Sequence, residues 1–267
     1  MFTSTFPVIG MIHLQPLPGS PRSTHSRGEV TARALRDTQT LLDNNIDGLL
    51  VENYGDLPFH GGAVGPETVA AMTAITTRIV DLAAETRTPV GVNVLRCDPA
   101  AALAVALASG ARFIRINIHT GARLTDQGVL TGQAHQTLRN RSAWGANEIE
   151  LWADVAVKHS LPLSPAEDLV EGARETRERG LADRLIVTGP ATGTPADLEE
   201  IRQISDAVDC PVLLGSGLTP DNAKIFLAHT AGAIVGTAIK RNGRTEDPVD
   251  PDRLRSLMQT VRAADNP

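Results

Sequence analysis

The chain has 267 residues and a formal net charge of −6, with 25 Lys and Arg against 31 Asp and Glu. This acidic balance argues against a nucleic-acid protein held by counterion release, and an aromatic content of 3% leaves little material for stacking bases. No apolar run approaches the ~20 residues that a membrane span needs, and the N-terminus lacks the features of a signal peptide. We therefore expect a cytoplasmic protein without an integral membrane segment.

Eight apolar or β-branched segments predict strands, and segments with helical spacing separate most of them. In residues 67–84, for example, Met72, Ile75 and Ile79 would share one face of a helix. The strand candidates, in chain order, are VIGMIHL (8–14), DGLLVEN (47–53), PVGVNVL (89–95), FIRINIH (113–119), IELWADVAVKH (149–159), RLIVTGP (184–190), PVLLGSG (211–217) and GAIVGTAIK (232–240).

Residue-proline pairs mark most of the predicted helix starts, because proline fits the first helical position and Ser, Thr or Asp before it can cap. The pairs are Gly65-Pro66, Asp98-Pro99, Ser164-Pro165, Thr194-Pro195, Thr219-Pro220 and Asp250-Pro251. Eight strands, each followed by a helix, predict an α/β fold: a (β/α)₈ TIM barrel of the phosphate-binding type, forming one domain over residues 1–267. A doubly wound sheet would carry a dinucleotide fingerprint after its first strand, where this chain has HLQPLPGSPR.

Alternation along the strands predicts a polar set of side chains inside the barrel, because successive residues face the helices and the lumen in turn. Near the strand starts, Arg115 and Glu150 are interpreted as an ion pair that closes the bottom of the barrel. Asp154 lies between the two ends, as a residue that orients a neighbour or serves as a buried base. The inward residues near strand ends, where barrel enzymes place their chemistry, are His13, Glu52, Asn93, Asn117, His119 and Lys158.

Small residues end the last two predicted strands, in LLGSGLTPDN and GAIVGTAIK. Glycines there let backbone N–H groups approach a phosphate, and hydroxyls can add donors. Barrels often bind phosphate between these two strand ends; the alternative is that the glycines only ease tight turns. The predicted substrate-binding residues are Asn93, Gly189, Gly215, Ser216, Gly217, Gly236 and Thr237.

A polar segment from His119 to about Trp144 is predicted to form a lid over the barrel mouth. Within it, Asp126 is either a lid residue that closes over the substrate or a turn former before Gly128. For Lys158, pairing with a carboxylate or phosphate is favoured over a Schiff base. The seven histidines show no metal-ligand spacing, so we expect neither a metal nor another cofactor.

Several motifs together resemble those of the BtpA/SgcQ family over nearly the whole chain. They are VIGMIHLQPLPGSPR, VENYGDLPF, NVLRCD, FIRINIHTG, TDQG, ADVAVKH, VTGPATG, GSGLTPDN, IVGTAIK and DPVD. The resemblance implies a (β/α)₈ barrel akin to phosphate-binding barrels. For one branch of the family, the resemblance implies a peripheral thylakoid protein that is needed for photosystem I accumulation. For the other branch, it implies a role in sugar-phosphate metabolism.

A looser similarity links the chain to the tryptophan synthase alpha barrel. There, too, a glutamate on the second strand is followed by a loop with an Asp and Pro-Phe, similar to Glu52, Asp56 and Pro58-Phe59 here. Residues 232–238 are similar to its phosphate turn. The spacing differs between the two, so the similarity supports Glu52 as a general acid or base by analogy alone.

Two hypotheses of function follow. The first is an enzyme that acts on a phosphorylated sugar or phosphoribosyl compound by acid/base chemistry, as an isomerase, epimerase or lyase. In this hypothesis Glu52 takes or gives the proton, and Lys158 and Asn117 stabilise an oxyanion. Asp154 acts on Lys158 through a hydrogen-bond network. The second is a non-catalytic assembly or stability factor, which would need an exposed apolar patch outside the mouth. The sequence leaves the oligomeric state open, a homo-oligomer included.

Overall fold

The computed structural model describes residues 1–155, 157–163, 168–189 and 196–265, and in it eight parallel strands close into a barrel. The strands of the described residues are β1 (Val8–His13), β2 (Gly48–Glu52), β3 (Val90–Asn93), β4 (Phe113–Ile116), β5 (Ala122–Thr125), β6 (Gly128–Thr131), β7 (Glu150–Asp154), β8 (Leu161–Pro162), β9 (Arg184–Val187), β10 (Val212–Leu214) and β11 (Ala233–Val235). The barrel order is β1-β11-β10-β9-β7-β4-β3-β2. The predicted (β/α)₈ barrel is confirmed.

Helices follow the barrel strands and cover the outside of the barrel. They are α1 (Arg27–Asp43), α2 (Pro66–Ala83), α3 (Pro99–Ser109), α4 (Ala134–Ala143), α5 (Leu169–Glu178), α6 (Leu198–Ala207), α7 (Ala223–Leu227) and α8 (Pro251–Asp265). The outward faces of the strands pack with these helices into one large apolar core. None of the helices in the described part of the chain combines the length and apolar character needed to cross a bilayer.

The local chemistry of the helix starts accounts for where the helices begin. Proline opens α2, α3 and α8 as predicted, and Asp98 caps α3 by accepting a hydrogen bond from the N–H of Ala101. Ser26 caps α1 and forms a reciprocal capping box with Glu29, so this helix begins without a proline. The pair Thr219-Pro220 lies in the turn before α7, and the pairs Ser164-Pro165 and Thr194-Pro195 lie outside the described residues.

The lumen of the barrel has an apolar floor and a polar upper layer. The floor is a cluster of inward-facing residues, with the Phe113 ring stacked on Trp152 at 3.8 Å between centroids. Above it, the same alternation turns His13, Glu52, Asn93 and Arg115 into the lumen, as predicted. Polar side chains therefore gather at the carboxyl ends of the strands, which is the mouth of the barrel.

The predicted ion pair between Arg115 and Glu150 is wrong. Glu150 instead accepts hydrogen bonds from the Nε of Arg184 at 2.9 Å and from the indole N–H of Trp152 at 2.8 Å. The strand register explains the difference, since Arg115 is level with Trp152, above Glu150. The long side chain of Arg115 extends further upward to Asp154, so this arginine belongs to the mouth and not to the floor.

A small second sheet lies over one side of the mouth. Strands β5 and β6 form a hairpin, and β8 pairs with β5, so the predicted lid is a sheet followed by α4. The inner face of this sheet packs through Leu130 on Ile118 and Val157. Asp126 stands at the tip of the hairpin, and the neighbouring Gln127 lies close to Gly61 in the loop after β2.

Candidate active site

Two adjoining cavities occupy the mouth of the barrel and share four ionisable side chains, which are His13, Glu52, Arg115 and Lys158. The first, of about 180 Å³, is lined by residues 215–219 and 235–238 and is here named the turn cavity. The second, of about 440 Å³, is lined by Tyr54, Leu57, Phe59, Leu95 and Arg96 and is named the aromatic cavity. A ligand that spans both would pass directly over the shared charged groups.

The two glycine turns meet in the turn cavity, which brings the predicted Gly215, Ser216, Gly217, Gly236 and Thr237 together. Gly217 has a φ of +81°, which glycine adopts without strain. At Gly236 a Cβ atom would lie 2.9 Å from Cε1 of His13, so this position requires a missing side chain. The close approach of His13 to the second turn therefore depends on glycine at this position.

The turns are held by hydrogen bonds that also limit which groups can bind a ligand. Asn222 accepts from the N–H of Thr219 and donates to the carbonyl of Gly217, and thereby fixes the first turn. The N–H of Gly215 is bound to the carbonyl of Val187 at 2.7 Å, so it is not a donor for an anion. The hydroxyl of Thr237 is shared with Thr245 at 2.8 Å.

Glu52 is the buried acid of the mouth, 6% exposed at the end of β2. Burial raises the pKa of Glu52, and the positive charges of Arg115 and Lys158 oppose that rise only in part. Its Oε1 lies 3.7 Å from Nε2 of His13. Burial, together with Lys240, Lys158 and Arg115, holds the pKa of His13 well below its usual range, so this contact joins a neutral imidazole to a carboxyl group.

A hydrogen-bonded network joins the ends of three neighbouring strands beside Glu52. Asp154 accepts both Nε and Nη2 of Arg115, at 2.9 and 3.0 Å, and also the amide of Asn117 at 3.0 Å. The carbonyl of the Asn117 side chain in turn accepts from the amide of Asn93. Arg115, Asn117 and Asn93 are each 3% exposed or less. This network offsets the cost of burying Arg115 and fixes the direction of its guanidinium.

Lys158 follows β7 and contributes to both cavities. Burial, helped by the positive charge of Arg115, lowers its pKa to about 8, although Glu52 and Asp154 oppose the shift. The charge of Asp154 therefore acts on Lys158 at a distance, and the hydrogen bonds of Asp154 are made with Arg115 and Asn117. An amine with a pKa near 8 is present in both protonation states at neutral to mildly alkaline pH.

Three other predicted residues lie at the edge of this centre or beyond it. Asp126 lines the rim of the aromatic cavity, whereas Gly189 lines a neighbouring opening beside the hairpin. His119 is outside the mouth: its Nε2 lies 2.8 Å from the carbonyl of Gly180, beyond the end of α5. The cause is that β4 ends at Ile116, so the inward and outward alternation no longer holds three residues later.

Sequence reasoning missed Arg96 and Tyr54. The signal for Tyr54 was its place two residues after Glu52, which continues the inward alternation, and its ring lies 4.9 Å from that of His13. Arg96 follows the end of β3, a position typical of functional residues in barrels. By contrast Asp56, which drew the analogy to tryptophan synthase, accepts hydrogen bonds from the N–H of Leu17 and from Asn53.

Metal ligands do not converge in the described part of the chain, where no three His, Cys, Asp or Glu side chains are close enough to hold an ion. What converges at the mouth is an acid with a raised pKa, an amine with a lowered one, and a guanidinium fixed by Asp154. Groups of this kind can move a proton and stabilise the negative charge that its loss creates.

Comparisons with known proteins agree with this architecture. The model of the BtpA family matches residues 4–263. The photosystem I biogenesis protein BtpA of Synechocystis is 40% identical over 261 residues, which cover 97% of this chain and 89% of that protein.

Solved structures share the fold at low sequence identity. Thiamine phosphate pyrophosphorylase of Pyrococcus furiosus has a TM-score of 0.60 at 17% identity, covering 97% of this chain and 96% of its own. N-(5'-phosphoribosyl)anthranilate isomerase of the same organism has a TM-score of 0.58 at 11% identity, covering 97% and 99%. At these identities the likeness concerns the barrel alone.

Proposed function

The chain belongs to the BtpA family, and we propose that it is an enzyme that acts on a phosphorylated sugar or phosphoribosyl compound by proton transfer. The single observation that carries this proposal is the turn cavity, in which two glycine turns face Glu52 and Lys158. A phosphate held by the turns would anchor the remote end of a substrate, so that binding energy orients the reacting carbon against the acid.

Glu52 is the general acid and base of the proposed reaction. As a carboxylate it takes a proton from a carbon next to a carbonyl, and it then returns that proton as the carboxylic acid. A raised pKa suits both halves of this cycle, because it brings the group closer to the working pH. Return of the proton to the neighbouring carbon isomerises the substrate, provided that the hydroxyl proton passes to the former carbonyl oxygen. Return to the other face of the original carbon epimerises it, provided that the enediolate turns over in the cavity.

Lys158 and Arg115 stabilise the negative oxygen of the enediolate that forms when the proton leaves. Both lie in the wall shared by the two cavities, so both face the place where the reacting carbon would sit. Asp154 acts as a positioning residue, since it accepts from Arg115. Asn117 was predicted to stabilise the oxyanion, but its amide donates to Asp154 and its carbonyl accepts from Asn93, so it also acts as a positioning residue. Neutral His13, in contact with Glu52, orients the carboxyl group, and Asp126 covers the site from the hairpin.

The names of the structural neighbours support a phosphorylated substrate. Thiamine phosphate pyrophosphorylase and N-(5'-phosphoribosyl)anthranilate isomerase are both named for phosphate compounds, and both have this barrel. The phosphate-binding position at the ends of the last two strands recurs among barrel enzymes of different chemistry. The support is by analogy, so the reaction itself has to be tested directly.

Exchange of carbon-bound hydrogen for deuterium tests proton transfer whatever product the reaction forms. The protein is incubated in D₂O with a panel of aldose, ketose and phosphoribosyl phosphates, and deuterium uptake is followed by NMR. We expect uptake in at least one compound, and a loss of about 10²- to 10⁴-fold in Glu52→Gln. Glu148→Gln, at an exposed position, is the matched control. Uptake that is equal in Glu52→Gln and the wild type would remove Glu52 from the mechanism.

A second candidate function, an assembly factor that binds a partner protein, is favoured by one observation. Leu124, Val129 and Leu161 are cross-strand neighbours on the outer face of the hairpin sheet and are 43 to 64% exposed. The relative from Synechocystis is named as a photosystem I biogenesis protein. If this function is correct, Leu124→Ser with Val129→Ser abolishes partner binding while deuterium exchange is absent in the wild type. Exchange catalysed by the wild type would favour the enzyme.

A further inference from the structure

We propose that the aromatic cavity binds a planar apolar group that carries a carboxylate, and that this group forms the other end of the phosphorylated substrate. This inference rests on the proposed function, because it assigns the part of the substrate that extends beyond the turn cavity. It narrows the substrate class: the non-phosphate end is an aromatic or similarly flat acid and not an open polyol chain.

The walls of the aromatic cavity carry this inference first. Leu57, Phe59 and Leu95 present side chains without hydrogen-bonding groups, and Tyr54 adds the face or edge of its ring. The chain has only five Phe, two Trp and one Tyr, and its single tyrosine stands here. Polar side chains line the rest of this cavity, so the choice concerns the part next to these four residues. There the hydroxyls of a polyol would lack partners, whereas a flat apolar group would gain contact.

Arg96 supplies the second argument. It is 5% exposed, although arginine is rarely buried without a partner. Within the described residues its guanidinium makes one hydrogen bond, from Nη2 to the carbonyl of Lys158 at 2.6 Å, and its Nε has no partner. A buried, under-partnered guanidinium in a cavity wall is suited to a carboxylate, whose two oxygens match its fork of donors.

The charges around the cavity are consistent with an anionic guest. Arg115 is already matched by Asp154, and Lys158 faces Glu52. Asp126 on the hairpin is the remaining acid of this wall and lies at the exposed rim. Among the described residues, the buried part of this wall therefore offers Arg96 no acid of its own, and Asp126 at the rim is exposed to water.

Binding of small acids to the intact protein tests the inference separately from the proposed function. Dissociation constants are measured by NMR titration for benzoate, for its neutral isostere benzamide, for acetate and for inorganic phosphate. We expect benzoate to bind at least about tenfold more tightly than either benzamide or acetate, because it alone has both the flat ring and the charge. Phosphate is expected to bind at the same time, because it occupies the turn cavity.

The variants Arg96→Gln and Arg112→Gln locate the site. Arg96→Gln is expected to remove the preference for benzoate over benzamide and to leave phosphate affinity unchanged, and exposed Arg112, at the far end of the barrel, is the matched control. If Arg96→Gln does not fold, the comparison of benzoate with benzamide on the unaltered chain still tests the inference. Phosphate binding without a benzoate preference, or a preference that survives in folded Arg96→Gln, overturns the inference and leaves the proposed function standing. Failure of the wild type to bind phosphate overturns both.

Discussion

The carboxyl group of Glu52 illustrates how a strand end turns an ordinary side chain into a reactive one. It faces the lumen because of the period-two alternation of β2, and the closed barrel then removes it from water. Nearby Arg115 would lower the pKa of an isolated acid, yet this guanidinium is bound to Asp154, and burial dominates. The raised pKa of Glu52 therefore depends on the closure of the whole barrel.

Replacing Glu52 by Gln is expected to stabilise the protein at neutral pH by about 1 kcal/mol, as is common when a functional group in an unfavourable environment is removed. The pKa of Glu52 is higher in the folded state than in the unfolded state, where it is near 4.5. The contribution of this group to stability is therefore fully present only below pH 4.5, and it is lost as the pH rises through the folded pKa. Urea denaturation of both proteins from pH 4 to 8 measures the effect. A difference that grows toward acidic pH would contradict the assignment.

Lys158 is expected to titrate near pH 8, because burial lowers its pKa. The chain has three lysines, so reductive ¹³C-methylation followed by NMR gives a simple spectrum. Lys224 is exposed and Lys240 is buried against Asp37, so Lys158→Arg identifies the Lys158 signal. A Lys158 signal that does not titrate near pH 8 would show that this amine is not enclosed as described.

Removing Asp154 is expected to cost about 3 to 5 kcal/mol of folding free energy, because it leaves the buried charge of Arg115 without a partner. Asp154→Leu combined with Arg115→Met should recover much of that loss, since no buried charge then remains. Urea denaturation of the two single variants and the double variant measures the coupling. A cost below about 1 kcal/mol in Asp154→Leu would mean that water reaches Arg115.

At the scale of elements, sequence periodicity was sufficient to locate the barrel strands and the inward side of their upper layer. Glu52 and Asn93 were found because they lie inside β2 and β3, where alternation holds. His119 was misplaced because it lies beyond the end of β4, where the chain is no longer pleated. Arg115 was assigned to the floor because alternation gives the direction of a Cβ atom and not how far a long side chain extends along the strand.

The lid could be anticipated only as a polar segment, since the sheet is completed by β8, which pairs with β5 although it lies far from β5 in sequence. Arg96 and the aromatic cavity were missed for a related reason. Their walls come from loops after β2 and β3, and loop conformation does not follow from periodicity. The motifs therefore predicted several residues of the site, and the fold showed which of these residues lie together.

The hairpin of β5 and β6 is expected to influence turnover more than phosphate binding. Its tip lines the aromatic cavity through Asp126, but it makes no part of the turn cavity. Replacing residues 122–131 by a short Gly-Ser turn should reduce deuterium exchange about tenfold or more by admitting water, and should leave phosphate affinity unchanged. Asp126→Asn separates the carboxylate from the hairpin as a whole. An equal loss of phosphate affinity would place the hairpin at the turn cavity instead.

At the scale of the whole molecule, closure of the barrel joins the two ends of the chain at one site. Strand β11 pairs with β1, so the glycine turn after Val235 comes beside His13 and Glu52, which lie far earlier in the sequence. Those turns and the ionisable groups are separated along the chain and converge only in the folded state. A ligand of this site therefore binds the folded protein and not the unfolded chain, and should raise its melting temperature.

Thermal melting with and without a panel of sugar phosphates tests most directly whether the glycine turns and the ionisable groups form one anion-binding site. A ligand at 100 times its Kd adds about 2.7 kcal/mol, which corresponds to a rise of roughly 5 to 10 °C for a chain of this size. We predict this rise for the wild type and for Gly172→Ala, whose new Cβ would meet nothing, and its loss in Gly236→Ala. No rise with any member of the panel, or an equal rise in Gly236→Ala, would contradict the account.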